Sequence, residues 1–107
     1  MSVPDASVDP AVLLATRDLT FRAKLDAVAR AAGWRVTREV PAQLAVVELD
    51  GPRALERVRE LVGSGMPVIA FAPHVDAAAL RAAREAGAEA VPNSQVEAVV
   101  RGHLTGR

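Results

Sequence analysis

Apolar residues run almost unbroken through Leu44-Ala45-Val46-Val47 and give way to Glu48-Leu49-Asp50-Gly51-Pro52. This is the pattern of a strand buried on both faces that ends in two carboxylates and a turn. Ala11-Val12-Leu13-Leu14-Ala15 and Pro67-Val68-Ile69-Ala70-Phe71-Ala72-Pro73 repeat that character, and Ala88-Glu89-Ala90-Val91-Pro92 is a shorter version of it. Between these runs the apolar period lengthens to that of a helix. Phe21, Leu25, Val28, Ala29 and Ala32 share one face of a helix expected over Leu19 to Ala32. Asp18 is placed to cap it, Arg22, Asp26 and Arg30 lie off the stripe, and Gly33 stops it. Pro52 suits the first position of a second helix, with Asp50-Gly51-Pro52 as turn and cap and with Leu55, Val58, Leu61 and Val62 as its apolar stripe up to Gly63. A third, from about Asp76 to Ala86, is mostly alanine with Arg81, Arg84 and Glu85 outward. Ser94-Gln95-Val96-Glu97 has capping-box spacing and opens a fourth, whose packed face is Val96, Val99, Val100, His103 and Leu104.

One segment departs from strict alternation of strand and helix. Val36 to Val40 alternates apolar or β-branched with charged residues, as an edge strand does, and only Pro41-Ala42-Gln43 separates it from the central run. Parallel neighbours need a dozen or more connecting residues, so a crossover helix is missing here. Either this strand is short and followed by an extended link from about Arg38 to Gln43, or it forms an antiparallel hairpin with the central run. The first is favoured, because in the strand order 2-1-3-4-5 the two flank the first strand and need not touch. The expected fold is an α/β, flavodoxin-like three-layer sandwich with a five-stranded, mostly parallel sheet.

Composition narrows the function. The 107 residues suffice for one domain, taken as 11–107 behind a disordered arm over Met1 to Pro10. Half the chain is apolar, yet Phe21, Trp34 and Phe71 are its only aromatics, so Ala, Val and Leu must fill the core. Thirteen basic residues balance thirteen acidic ones, which argues against a nucleic-acid partner. No run approaches the length of a membrane span and no signal-peptide pattern opens the chain, so the expectation is a cytoplasmic protein with no membrane partner. The absence of cysteine removes disulfides and thiolate chemistry. Lys24 is the sole lysine.

Over roughly Ala11 to Leu104 the chain resembles the receiver domain of two-component response regulators. Leu13 to Asp18 followed by Arg22 and Leu25 is similar to that family's first strand, acidic pair and first helix. Gln43 to Glu48 with Pro52 is similar to the phosphoacceptor strand and its downstream proline, and Met66 to Pro73 with Ala86-Gly87-Ala88-Glu89-Ala90 to the closing elements. The resemblance implies a site where a strand-end aspartate becomes an acyl phosphate, an acidic pair holds Mg²⁺, a lysine meets the phosphoryl group and a hydroxyl reports it. In this chain the acidic pair falls on Thr16 and Arg17, the aspartate on Glu48, the hydroxyl on Ala72 and the lysine on Ser94. The resemblance therefore implies a pseudo-receiver: no enzyme, no cofactor, no metal, and a protein partner engaged through the helix before the last strand, that strand and the final helix.

Several residues carry competing readings. Glu48 either imitates the charge of an acyl phosphate or is a strand-end carboxylate paired with the Arg17 guanidinium, and the pairing is favoured. Asp50 is an alternative phosphoacceptor if the register shifts by two, which leaves a residual phosphoacceptor as a second function. A flavodoxin-like small-ligand binder is a third, for which no motif is found. His74 fits a solvated loop and His103 fits packing; two separated histidines make no metal site. Gly63-Ser64-Gly65 follows a helix and lacks a lysine, so it reads as a connection and not a phosphate loop. A homodimer is also expected, with Arg81, Arg84, Glu89, Glu97 and Arg101 in reciprocal ion pairs and Val91 and Val96 supplying apolar surface.

Overall fold

A computed structural model describes residues 10 to 105, so the arm expected over Met1 to Pro10 lies, apart from Pro10, outside the described residues. The order is β1 (Ala11–Ala15), α1 (Leu19–Ala31), β2 (Arg35–Thr37), β3 (Leu44–Glu48), α2 (Pro52–Gly63), β4 (Val68–Ala72), α3 (Ala77–Glu85), β5 (Glu89–Pro92) and α4 (Asn93–Thr105). The five strands form one sheet in the order β2-β1-β3-β4-β5, and every pairing is parallel. The fold is thus the expected flavodoxin-like sandwich. The extended-link alternative holds and the hairpin does not.

The alternation of side chains along the strands divides the core in two. Val12, Leu14, Val46, Ile69 and Phe71 point to the side covered by α1 and α4, where they meet Leu25, Val28, Val96 and Val100. Leu13, Ala45, Val47, Ala70, Ala72 and Ala90 point to the other side, against Val58 and Leu61 of α2 and Leu80 and Ala83 of α3. One layer is thick, with Phe21 tilted onto Phe71 at 5.1 Å between centroids, and the other is thin because its sheet residues are largely alanine. This is how a chain with three aromatics closes a core: small residues let two helices approach the sheet, and all three aromatics go to the opposite face.

The link from β2 to β3 is held by Gln43. Its backbone N–H donates to the Ala11 carbonyl at 2.8 Å, and its side-chain Oε1 accepts from the Ala11 N–H at 2.7 Å. One residue thereby satisfies both backbone polar groups of Ala11 at the start of β1. The link also contains a cis peptide bond at Val40-Pro41. Trp34 donates its indole N–H to the Leu104 carbonyl at 3.3 Å, tying the turn after α1 to the last turn of α4.

Some expectations at element ends are corrected. α4 starts at Asn93, directly after Pro92, so Ser94 lies inside its first turn and not at a cap. The cap of α2 is Gly51, which brings no side chain, so Asp50 does not cap that helix. His103 is exposed and bonds Glu89 at 2.8 Å, because the packed stripe of α4 runs through Val96, Val100 and Leu104.

Candidate functional site

β1 and β3 end side by side, with Ala15 opposite Val47, so the residues that follow meet at one corner of the sheet. Thr16 is buried there, and its hydroxyl donates to Glu48 Oε1 at 2.7 Å. The Arg17 backbone N–H donates to the same oxygen at 3.3 Å. The Thr16 hydroxyl oxygen accepts in turn from the Asp18 N–H at 3.2 Å. Asp18 caps α1 by accepting from the N–H groups of Thr20 and Phe21, as its position before the first apolar stripe predicts. The chain Asp18, Thr16, Glu48 thus runs from the start of a helix to the end of a central strand.

Arg22 completes the corner. From the first turns of α1 its Nη2 donates to the carbonyls of Leu14 at 3.1 Å and Thr16 at 3.0 Å, which fastens the end of β1 to the helix above it. The sequence sets Arg22 off the apolar stripe and among the residues of the family resemblance, but names no partner for it. Its position one turn beyond the cap, facing the end of the strand it follows, is the signal that was available.

Arg17 does not pair with Glu48 through its guanidinium, contrary to the favoured reading. Its Nε lies 3.2 Å from Asp50 Oδ2, and the side chain is 88% exposed. The reason is geometric. Thr16 points inward and takes the carboxylate of Glu48, and the next side chain past the end of β1 turns outward, where Asp50 waits two residues past Glu48.

These residues border an open cleft of about 830 Å³ between the β1 and β3 ends, the start of α1 and the start of α2. Thr16, Arg17, Glu48 and Asp50 line it, together with Arg22, Arg38, Arg53 and Arg57. Ala72 and Ser94 do not. Ala72 is fully buried in the thin layer at the end of β4, and Ser94 is exposed on α4. The structure therefore gathers three of the five positions of the degenerate phosphoacceptor site, adds Asp50, and leaves the other two outside the cleft.

The donors at this corner do not fit the Mg²⁺ that a receiver site would hold. That ion asks for a nearly octahedral set of oxygens, mostly carboxylate and water. Here one carboxylate oxygen of Glu48 already accepts two hydrogen bonds, Asp50 is bound by a guanidinium, and Thr16 and Arg17 bring no carboxylate. Among the described residues no three His, Cys, Asp or Glu side chains converge to hold a metal.

The expected dimer patch is also revised. Val91 and Val96 are core residues, 8% and 0% exposed, and offer no apolar surface to a partner. Glu97 pairs with Arg101 one turn away on α4, and Arg84 donates to the Ala90 carbonyl at 2.9 Å, so their bonds are made within the chain. Arg81 and Glu89 remain exposed, the latter bonded to His103.

Comparison with solved structures agrees with the fold. The chain superimposes on a response regulator from Thermotoga maritima with a TM-score of 0.70 at 15% identity, covering 94% of this chain and 100% of that one. A putative response regulator from Chloroflexus aurantiacus gives 0.68 at 20% identity, with 94% and 100% covered. An orphan response regulator of H. pylori gives 0.68 at 19%, with 92% and 97% covered. No family model matches the chain, and no curated protein sequence does. At such identities the likeness is one of architecture: this is the receiver fold.

Proposed function

We propose that the domain is a pseudo-receiver, a signalling module that acts by contact with a protein partner and without Mg²⁺-dependent phosphorylation of an aspartate. The observation that carries this reading is the state of Glu48. It stands at the strand end where the resemblance puts the phosphoacceptor, and its carboxylate is held by the Thr16 hydroxyl and the Arg17 N–H. A carboxylate so engaged is a fixed structural charge and a poor nucleophile, and no lysine follows Lys24 to meet a phosphoryl group.

Partner contact then falls to surfaces whose shape does not depend on a covalent switch. The exposed charges of α3, β5 and α4, Arg81 and Glu89 among them, form one such surface, in keeping with the resemblance. The partner on this reading is a protein, with a second copy of the chain as one form it takes.

Incubation with acetyl phosphate and Mg²⁺ followed by intact-mass measurement tests the first half. The expected result is an unchanged mass, and calorimetric titration with Mg²⁺, with and without beryllofluoride, is expected to show no saturable heat. A gain of one phosphoryl group that disappears in Glu48→Gln or Asp50→Asn would overturn the reading.

A further inference from the structure

Five arginines line the strand-end cleft against two carboxylates, and both carboxylates are already engaged. Arg17 spends its guanidinium on Asp50, and Arg22 donates to two carbonyls, which leaves its charge uncompensated. For Arg38, Arg53 and Arg57 no carboxylate among the described residues lies within salt-bridge distance. Arg38 and Arg53 are exposed, and Arg57 is half-buried. Three arginines without a carboxylate partner border one concavity, and an anion placed there would balance their charge.

We infer that this cleft binds a small molecule carrying a phosphate or pyrophosphate group. The planar fork of arginine matches phosphate oxygens, and three forks from two separate segments, the β2–β3 link and α2, suit a group with several of them. The start of α2 borders the same cleft. Pro52 has no N–H and the Ala54 N–H is taken by the Gly51 carbonyl at 3.1 Å, so this end offers an anion the Arg53 N–H and the positive end of the helix dipole. The volume of about 830 Å³ is that of a small-molecule site. Leu19, 79% exposed on the rim, and Pro52 supply apolar surface for the remainder of such a ligand. Binding of this kind uses no metal and phosphorylates no side chain. It stands apart from the signalling reading and can fail or succeed without it.

Calorimetric titration of the full chain with pyrophosphate and with ADP, in EDTA and at fixed ionic strength, tests the inference. Saturable binding of at least one probe with a dissociation constant of about 1 mM or tighter is expected. Arg53→Gln and Arg57→Gln are each expected to weaken it by about tenfold or more, the loss of one charge-assisted contact. Arg59→Gln, on the same helix but outside the lining, is expected to leave it unchanged. Arg53 is exposed, so Arg53→Gln retains its fold and serves even if Arg57→Gln is unstable. Absence of saturable heat with both probes would overturn the inference. So would equal weakening by Arg59→Gln, which would indicate general attraction to a basic helix, or binding of a polyglutamate peptide in preference to both probes.

Discussion

The Thr16 hydroxyl donates to Glu48 across 2.7 Å, joining the turn after one strand to the end of its neighbour. The same hydroxyl accepts from the Asp18 N–H, so its removal opens the bond to Glu48 and loosens the approach to α1. Thr16→Val is expected to cost about 1.5–3 kcal/mol, since the bond is to a charged group and Thr16 is buried. In a Glu48→Gln background the cost is expected to shrink. The double-mutant cycle in denaturant melts measures the coupling, and a value indistinguishable from zero would mean that the two side chains are independent.

Arg17 and Asp50 make an exposed pair, and exposed pairs contribute about 0–1 kcal/mol. Arg17→Ala is therefore expected to lower stability by less than about 1 kcal/mol, with that loss absent in Asp50→Asn. Coupling of Arg17→Ala to Glu48→Gln is expected to be near zero, because the bond from Arg17 to Glu48 is made by the backbone and survives the substitution. Measuring both cycles in one series separates the two carboxylates.

Gly87 sits at a backbone angle of +107°, and a Cβ built on it would come within 2.8 Å of Val62 Cγ1 on α2. Gly87→Ala meets strain from both the dihedral and the contact, and is expected to destabilise by about 1–3 kcal/mol. Val62→Ala in the same chain removes the contact and leaves the dihedral. The expected result in thermal or denaturant melts is a partial rescue relative to the sum of the single changes. Full additivity would show that the contact is not made.

Gln43→Ala removes the acceptor of the Ala11 N–H and is expected to cost about 1–2 kcal/mol. Gln43→Glu retains an acceptor at the same atom and is expected to cost less. Hydrogen exchange at the Ala11 amide reports the bond directly, with faster exchange expected in Gln43→Ala and protection largely kept in Gln43→Glu.

The sheet order and the short second strand were legible because both follow from backbone economy: apolar runs fix the strands, and six residues are too few for a crossover helix. The corner itself was legible only in part. Thr16, Arg17, Glu48 and Asp50 were singled out, but their partners depend on which way each side chain turns at a strand end, and an inward Thr16 reassigns the carboxylates. Val91 and Val96 were misread for a related reason. A short strand followed at once by a helix has the same apolar pattern whether its valines face the core or a partner, and only packing against Val100 and Phe71 decides. The arginines of the cleft are scattered over residues 17 to 57 and show no spacing that marks them as neighbours.

Both edges of the sheet are short, three residues in β2 and four in β5, and β5 ends at Pro92, which has no N–H to offer. A sheet edge is a template on which a stray extended chain can add itself, and its strength grows with the length of unpaired backbone that it exposes. Here neither margin is long enough to hold a register. Crowded copies of this domain are thereby expected to resist zipping together strand to strand, so that contact with it rests on side chains and not on backbone pairing.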